Sequence, residues 1–272
     1  MASYNEISVT TLTRLVGTPD CPILLDVRTD EDFDADPHLI PGAFRHPFLD
    51  VVDLAERLKG AQVIVYCQKG LKISQGAAAM LRISGVHADV LEGGQFAWRD
   101  AGLPMVMAKK LPPLSGTGHT VWVTRHRPKI DRIACPWLIR RFVDPKAQFL
   151  FVSASQVNNV ADRFNATPFD IEDVFWSHRG EKCTFDTMVD EFGIEHEALS
   201  RLATIVRGAD TNRHDLAPEV AGLLAASLGL SRMYRDDLQQ LEAGMLLYDA
   251  LYRWARDAMG EGHDWPASSK TA

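Results

Sequence analysis

The residues best suited to chemistry form a short loop around one cysteine, Cys67. An apolar run over residues 63–66 ends at this cysteine, and a loop that carries Lys69, Gly70 and Lys72 leads into a helical pattern. Cysteine reacts as the thiolate, whereas an unperturbed thiol, with a pKa of about 8.5, is mostly protonated at neutral pH. A loop that lowered this pKa would therefore make Cys67 a nucleophile.

Three features of this segment favour the thiolate. The amide groups after Cys67 can converge on one point as the chain turns, and the helix that begins near Ile73 directs its positive end toward the loop. Lys69 and Lys72 add positive charge, and Gly70 lets the loop close without a Cβ in the way. Such a loop would stabilise a thiolate, a persulfide or a tetrahedral oxyanion. The alternative is an ordinary buried cysteine at the end of a strand.

Apolar runs and helical patterns alternate over residues 1–108, which predicts a parallel α/β sheet flanked by helices. Continuous apolar runs, typical of parallel strands buried on both faces, occur in "PILLDV" and "QVIVYC", and "HADVLEGG" indicates a further strand. Helical spacing occurs in "DVVDLAERL" and "SQGAAAMLRISG", where Gly85 is placed to end the helix. The first region is therefore predicted to be one α/β domain.

The composition changes at "KKLPPLSGTGH", a stretch rich in Pro, Gly and Ser that predicts a linker over residues 109–120. Residues 121–272 are predicted to form a second, mostly helical α+β domain. Its strands are expected at "HTVWVTR" and "QFLFVSA", and a helix is expected at "IDRIACPWLIRRFV". One long final helix is expected near residues 231–258.

Composition narrows the class of protein. The chain has 272 residues, enough for two domains, with a hydrophobic content of 46% and a net charge of −7. Its four cysteines are widely spaced, which argues against a disulfide framework and favours a reducing cytoplasm. We find no signal-peptide pattern and no apolar run of the roughly 20 residues that a membrane span needs. The modest acidity argues against DNA as the main partner, and no membrane partner is expected.

Most of the first region resembles the rhodanese (sulfurtransferase) domain. The matching motifs, in the family's order, are "LLDVRTDEDF", "HLIPGAFRHPF", the loop from Cys67 to Lys72 and "VLEGGQFAW". The resemblance implies that Cys67 accepts a sulfane sulfur, carries it as a persulfide and passes it to a thiophilic acceptor. The loop of six residues, 67–72, resembles sulfurtransferases rather than the phosphatase relatives, whose longer loop admits phosphate.

The resemblance also implies roles for individual residues. The substrate-binding positions are Gln68, Lys69, Gly70 and Leu71, and the catalytic positions are Cys67, Lys72, Arg28 and Asp26. Lys72 stands where many rhodaneses have arginine, and lysine is a point charge without the planar fork. Asp26 and Arg28 are expected either to form a structural ion pair beside the loop or to contact the substrate directly.

Polar residues of the second region predict a metal site. We expect its ligands to be His178, Asp186, Asp210 and Glu191, with Cys183 nearby. Imidazole and carboxylate ligands suit Fe, Mn or Zn, although the spacing matches no short metal-binding signature. The alternatives are Asp186 near a helix N-terminus, a solvated Glu191 and an inert, buried Cys183. The sequence therefore leaves open whether a metal cofactor binds.

The second region resembles the chromate-resistance (ChrB-type) family. The matching motifs are "RPKIDRIACPWLIRRFVDP", "SHRGEKCTFDTM", "IVRGADT" and "GLSRMYRDDLQQLEAGMLLYDALYRWARDA". Members of this family are associated with chromate resistance and sensing, and some relatives with metal binding and superoxide defence. Shorter relatives have glutamate at the position of Asp186 and histidine at that of Arg207. An oxyanion site is therefore an alternative to the metal site, and its candidate residues are Arg125, Lys129, Arg132 and Arg207.

Together these features predict a rhodanese-type sulfurtransferase that moves sulfane sulfur through a Cys67 persulfide and is joined to a chromate-resistance domain. Its partners would be a small sulfur donor and a thiophilic acceptor, with chromate as a further candidate. The alternatives are a chromate- or metal-responsive sensor or regulator, and a metal-dependent superoxide-detoxifying protein. The first prediction depends on Cys67, whereas both alternatives depend on the second region.

Overall fold

The computed structural model describes residues 5–116 and 118–262. The strands of the first region are, in chain order, β1 (Glu6–Ile7), β2 (Ile23–Asp26), β3 (His38–Leu39), β4 (Phe44–Arg45), β5 (Gln62–Tyr66), β6 (His87–Leu91) and β7 (Val106–Met107). Among these described residues, five strands form a parallel sheet in the order β1-β6-β5-β2-β4. β3 and β7 form an antiparallel pair. The parallel sheet confirms the predicted fold class of the first region.

Five α-helices of the described first region connect these strands, and the fourth and fifth of them contact the cysteine loop. In chain order they are α1 (Val9–Leu15), α2 (Asp30–Ala35), α3 (Ala55–Leu58), α4 (Lys72–Ile83) and α5 (Gly94–Asp100). The apolar runs of β2 and β5 are buried, as expected of inner strands of a parallel sheet. Gly85 follows the end of α4 with a φ of +82°, a left-handed conformation that favours glycine and ends the helix as predicted.

The second region combines a small parallel sheet with longer helices, which confirms the predicted mostly helical architecture. Its strands are β8 (Val121–Arg125), β9 (Gln148–Val152) and β10 (Thr167–Pro168), in the order β10-β8-β9. Its helices are α6 (Asp131–Leu138), which continues as a π-helical turn (Ile139–Val143), α7 (Val157–Phe164), α8 (Thr184–Phe192), α9 (Glu197–Asp210), α10 (Val220–Met233) and α11 (Asp237–Asp257).

The prediction of a single final helix near residues 231–258 is wrong at the start of this range, because two helices meet there. α10 ends at Met233, and Tyr234 adopts an extended conformation. The side chain of Asp236 then accepts a hydrogen bond of 2.8 Å from the amide of Gln239 and caps the start of α11. The apolar residues that recur every three or four positions along α11 are buried, namely Leu241, Met245, Tyr248, Tyr252 and Ala255, so this helix packs one apolar face against the core.

Side chains of the two regions pack into one hydrophobic core. Gly17 has a φ of +78°, and a Cβ at this position would lie 2.5 Å from Cζ of Phe142. The amide of Gly42 donates a hydrogen bond of 2.7 Å to the carbonyl of Phe142. Arg256 donates a bond of 3.3 Å to the carbonyl of Val16. The boundary predicted at residues 109–120 stays a prediction, and the shared core implies that each region supports the stability of the other.

Candidate functional site

Cys67 directly follows β5, and residues 68–71 lead from it into α4. β5 is the middle strand of the five-stranded sheet, so hydrogen bonds on both edges hold the end of the strand that carries the thiol. Cys67 is 5% exposed. This small exposed fraction restricts access to the sulfur to small reagents.

Hydrogen-bond donors of the loop and of α4 surround the sulfur. Ser74 Oγ lies 3.3 Å from Cys67 Sγ, and the amides of Ser74, Lys69 and Leu71 are directed at the sulfur. Burial by itself raises the pKa of the Cys67 thiol. The hydrogen bonds from Ser74 and from the two loop amides outweigh burial, so the pKa is lowered from its ordinary value. The direction of this shift is the one expected from the sequence.

The two lysines of the loop contribute less than the sequence analysis expected. Lys69 and Lys72 are exposed to solvent, where water screens a charge strongly. The largest causes of the lowered Cys67 pKa include the backbone amide of Lys69 but neither ammonium group. The geometry therefore attributes the activation of the thiol to oriented donors rather than to positive side chains.

Two glycines allow the cysteine loop to pack against the start of α5. Gly70 has a φ of +67°, and a Cβ there would lie 2.5 Å from the carbonyl oxygen of Leu91. Gly94 has a φ of +61°, and its Cβ would lie 2.3 Å from the carbonyl oxygen of Cys67. The amide of Gln95 donates a hydrogen bond of 3.0 Å to this same carbonyl. The "EGGQFAW" segment thus holds the loop through backbone contacts that a Cβ would prevent.

Asp26 and Arg28, predicted as catalytic residues, form a fully buried ion pair of 2.6 Å. Arg28 also donates hydrogen bonds of 2.9 Å and 2.7 Å to the carbonyls of Asp36 and His38. Their hydrogen bonds therefore connect the end of β2 with the segment before β3. This arrangement fits the structural ion pair better than direct contact with a substrate, although either role stays a prediction.

Two of the four predicted metal ligands form ion pairs with arginine or lysine side chains of the protein. Oδ1 of Asp186 lies 2.8 Å from Arg207. The carboxylate of Glu191 contacts Lys110, at 2.5 Å, and also Arg179. A carboxylate that is already neutralised by an arginine or lysine has less to gain from a metal ion. The structure thus places both Asp186 and Glu191 in ion pairs with basic side chains of the protein.

The other two predicted ligands, His178 and Asp210, lie in contact. Two aspartates that were not predicted as ligands also approach His178. Nε2 of His178 lies 3.1 Å from Asp210 Oδ2, 3.5 Å from Asp131 Oδ2 and 3.6 Å from Asp170 Oδ1. We call these four residues the acidic–histidine cluster. Asp131 begins α6, Asp170 follows β10, His178 lies in the loop before α8, and Asp210 ends α9.

Burial and mutual repulsion perturb the acidic–histidine cluster. Asp131 is fully buried and Asp170 nearly so, whereas the His178 side chain is 41% exposed. Burial raises the pKa of Asp131 to about 7, the hydrogen bond with His178 opposes this rise, and the charges of Asp210 and Asp170 add to it. Hydrogen bonds to Asp131, Asp170 and Asp210 raise the pKa of His178 to about 12. Such perturbed groups are typical of functional sites.

The arginines considered for an oxyanion site are paired with carboxylates. Arg207 binds Asp186, as described above, and Arg132 and Arg125 approach Asp170 Oδ2 at 3.3 Å and 3.6 Å. In the basic stretch "WLIRR", Arg140 contacts Glu242 and Arg141 contacts Asp249. These ion pairs reduce the positive charge available for an oxyanion or for a nucleic acid.

Sequence reasoning missed Ser74, Asp131 and Asp170. Ser74 lies within the loop and helix that the analysis had already marked, and a hydroxyl in the first turn after a cysteine loop is a usable signal. Asp131 carries no such signal, because it is a single aspartate 47 residues before His178. Asp170 is only eight residues before His178, but it belongs to no motif that would mark it as a ligand. The approach of these side chains depends on tertiary packing.

The fold and the cysteine loop define the class of protein. It has a parallel α/β domain with a thiol at the carboxyl end of its central strand, followed by a mostly helical region. Two protein families match this chain, the Rhodanese-like domain at residues 8–101 and the ChrB C-terminal domain at residues 122–255. The chain therefore combines a rhodanese-like domain with a ChrB C-terminal domain, and both predicted resemblances are confirmed.

Individual relatives agree with this combination. Protein ChrB of Cupriavidus metallidurans is 30% identical over an alignment of 192 residues that covers 65% of this chain and 57% of that protein. The chain thus spans little more than half the length of this relative. A sulfurtransferase of Allochromatium vinosum is 29% identical over 103 residues, or 38% of this chain and 94% of the relative. The first region is accordingly sulfurtransferase-like.

A solved structure of a rhodanese-related protein from Thermoplasma volcanium is also similar. It shares 23% sequence identity and has a TM-score of 0.33, covering 38% of this chain and 99% of that one. Among the described helices, none combines the length and the apolar character that crossing a bilayer requires.

Proposed function

We propose that this protein is a sulfurtransferase in which Cys67 carries sulfane sulfur as a persulfide, joined to a ChrB C-terminal domain that links this chemistry to chromate resistance. The observation that carries the proposal is the convergence of Ser74 Oγ, at 3.3 Å, and of the loop amides on the Cys67 sulfur. Donors aimed at one sulfur stabilise a negative charge there. The rhodanese-like family and the sulfurtransferase relative support the same chemistry.

The proposed reaction has two displacement steps at sulfur. The Cys67 thiolate first attacks the outer sulfur of a donor such as thiosulfate; a new S–S bond forms, the S–S bond of the donor breaks, and sulfite leaves with the electron pair. A thiophilic acceptor such as cyanide then attacks the terminal sulfur of the persulfide. The S–S bond to Cys67 breaks, thiocyanate is released, and the thiolate is restored without any external oxidant or reductant.

Ser74 can serve both protonation states of the cysteine. Its Oγ lies 3.1 Å from the carbonyl of Leu71 and 3.3 Å from Cys67 Sγ, and it has one hydrogen to donate. When Cys67 is a thiol, the hydroxyl donates to Leu71 and can accept from the S–H group. When Cys67 is a thiolate, the hydroxyl can turn to the sulfur, and this charge-assisted bond is the stronger one. This change of hydrogen-bond partner by the Ser74 hydroxyl stabilises the Cys67 thiolate, which is the reactive form.

Lys69 and Lys72 have a different role in this proposal. Both are exposed on the solvent side of the loop, so their charges act on approaching ions more than on the buried thiol. Positive charge near a recessed site raises the local concentration of anionic reactants. We therefore assign the two lysines to recruitment of an anionic sulfur donor and the amides and Ser74 to activation of the thiol.

Thiosulfate-to-cyanide sulfur transfer by the Cys67→Ser variant tests the proposal. We expect the variant to lose all measurable transfer with its circular dichroism unchanged, because serine cannot form a persulfide. The wild type should gain the mass of one sulfur atom after thiosulfate treatment. Cys21→Ser is the matched control and should stay active, since burial raises the pKa of Cys21 to about 12 and keeps it a thiol. Transfer by Cys67→Ser, or a wild type that never gains sulfur, would contradict the proposal.

A further inference from the structure

We propose that the acidic–histidine cluster binds a divalent first-row metal ion through carboxylate oxygens of Asp131, Asp170 and Asp210 and through Nε2 of His178. The four residues come from separate segments of the second region, and an oxygen of each aspartate approaches Nε2 of His178. The oxygens of Asp131 and Asp170 and the nitrogen of His178 lie within 4.8 Å of one another. This site is independent of the cysteine loop and of the sulfur chemistry proposed for it.

His178 has fewer hydrogens to donate than the carboxylates around it can accept. Oxygens of Asp131, Asp170 and Asp210 approach the same ring nitrogen, Nε2, at 3.5, 3.6 and 3.1 Å. A protonated imidazole carries a single hydrogen on each ring nitrogen. It can therefore make one good hydrogen bond from Nε2, which leaves the other two carboxylates facing this atom without a proton between them. A divalent cation in place of that hydrogen would attract all three carboxylates at once.

The spacing of the nitrogen and oxygen atoms also fits a bound metal ion. Metal bonds to imidazole nitrogen and carboxylate oxygen are about 2.1 Å long, so neighbouring ligands in tetrahedral or octahedral geometry lie about 3.0–3.4 Å apart. The distances of 3.1–3.6 Å from His178 Nε2 to the three oxygens fall in or just beyond this range. Two of them exceed the usual length of a hydrogen bond to nitrogen. The arrangement thus suits ligands around an ion.

The most deeply buried member of the cluster has a carboxylate oxygen whose hydrogen-bonding capacity is unsatisfied among the described residues. Asp131 is 0% exposed, and its Oδ1 has no hydrogen-bond partner within the described part of the chain. Leaving a buried carboxylate oxygen unpaired is costly. Arg132 and Arg125 lie beside Asp170 Oδ2 and balance that carboxylate. Among the charged contacts found in residues 5–116 and 118–262, they do not reach Asp131, whose partner is His178. A bound cation would supply the missing charge.

A neighbouring residue, Thr184, holds two of the carboxylates in place. The amide of Thr184, the first residue of α8, donates a hydrogen bond of 2.6 Å to Asp131 Oδ2. The hydroxyl of the same residue donates a bond of 2.8 Å to Asp170 Oδ1. Hydrogen bonds of this kind orient metal ligands before the ion arrives. Thr184 thus positions the oxygens that also face His178.

The donor set indicates the class of metal. One imidazole nitrogen with three carboxylates is harder than the sulfur-rich sites that select Cu(I) or structural zinc, and it suits Mn²⁺ or Fe²⁺. The ligand set differs from the one expected from sequence, because Asp131 and Asp170 replace Asp186 and Glu191. This difference makes Glu191 an informative control, since its carboxylate is held by Lys110 and Arg179.

Titration of the metal-stripped full-length protein with Mn²⁺ tests the proposal, followed by calorimetry and by the electron paramagnetic resonance spectrum of the ion. We expect the wild type to bind an equimolar amount of Mn²⁺. Loss of an outer-shell partner weakens metal binding by about 10–100-fold, so His178→Ala and Asp170→Asn, which remove ligands, should each weaken it by at least about 100-fold. Glu191→Gln should bind as the wild type does, and Cys67→Ser should too, because the cysteine loop is a separate site.

Each outcome decides the proposal. His178 is 41% exposed, so His178→Ala is expected to fold even if an aspartate variant does not, and circular dichroism checks this. Unchanged Mn²⁺ affinity in folded His178→Ala would overturn the assignment. The assignment would also be overturned if the wild type bound none of Mn²⁺, Fe²⁺ and Zn²⁺ in equimolar amount. Loss of binding in Glu191→Gln would also contradict the assignment, because it would make Glu191 a ligand, as predicted from sequence.

Discussion

The two candidate sites of this protein are built in opposite ways. The Cys67 site takes its thiol, its amides and its hydroxyl from residues 67–74, one continuous stretch held by backbone contacts. The acidic–histidine cluster takes single side chains from four segments spread over residues 131–210. A site built from backbone groups tolerates many side-chain changes but is sensitive to an added Cβ. A site built from side chains has the opposite sensitivity.

The buried ion pair next to the cysteine loop gives the largest expected effect and tests whether nearby side chains only support the backbone. Asp26→Asn leaves the buried guanidinium of Arg28 without its charge partner, which should lower the free energy of unfolding by about 3–5 kcal/mol. Urea denaturation measures this. The control Asp30→Asn breaks an ion pair with Arg45 in which Asp30 is 93% exposed, and it should cost less than about 1 kcal/mol.

The same variant separates the two roles considered for Asp26. If the residue only stabilises the fold, sulfur transfer per folded molecule of Asp26→Asn should match the wild type below the denaturation temperature. A large drop in transfer by a folded variant would instead place Asp26 in the reaction. That result would also weaken the contrast between the two sites, because the cysteine site would then depend on a side chain from outside residues 67–74.

An added methyl group at the loop contact should have the next largest effect. Gly94→Ala would place a Cβ 2.3 Å from the carbonyl oxygen of Cys67, and a displacement of the loop by about 1 Å can lower activity about 100-fold. Gly102→Ala is the matched control: its φ is +69°, close to that of Gly94, but a Cβ there meets nothing within 4 Å. Sulfur transfer by both variants is the measurement. Equal losses would mean that backbone strain, and not the contact, is responsible.

The smallest expected effect is a change in the pKa of Cys67, which tests whether hydrogen-bond donors or positive side chains activate the thiol. Hydrogen bonds lower the pKa of Cys67, so Ser74→Ala should raise it, moving the pH profile of iodoacetamide alkylation to higher pH and slowing the reaction severalfold at neutral pH. Lys72→Ala should move the profile less, because its ammonium group is exposed. Equal displacements in both variants would restore the charge-based activation expected from the sequence.

Much of the fold and one of the two sites could be predicted because the relevant signals are local. Buried parallel strands produce continuous apolar runs, and Gly85 ends its helix by its own conformational preference. The break before α11 was missed because the apolar spacing continues across it, whereas the cap at Asp236 depends on a single side chain. Ser74 was overlooked although it lies in the same stretch as Cys67.

The sequence by itself determined the parallel α/β fold and the environment of Cys67, since a strand, a tight loop and a helix start bring adjacent amides to one point whatever lies elsewhere. Only the tertiary structure decided which carboxylates face His178. Asp131, Asp170 and Asp210 are far apart along the chain, and Asp186 has the same chemistry but lies against Arg207. Ion pairing depends on distances between helices, and no spacing along a linear sequence encodes those distances.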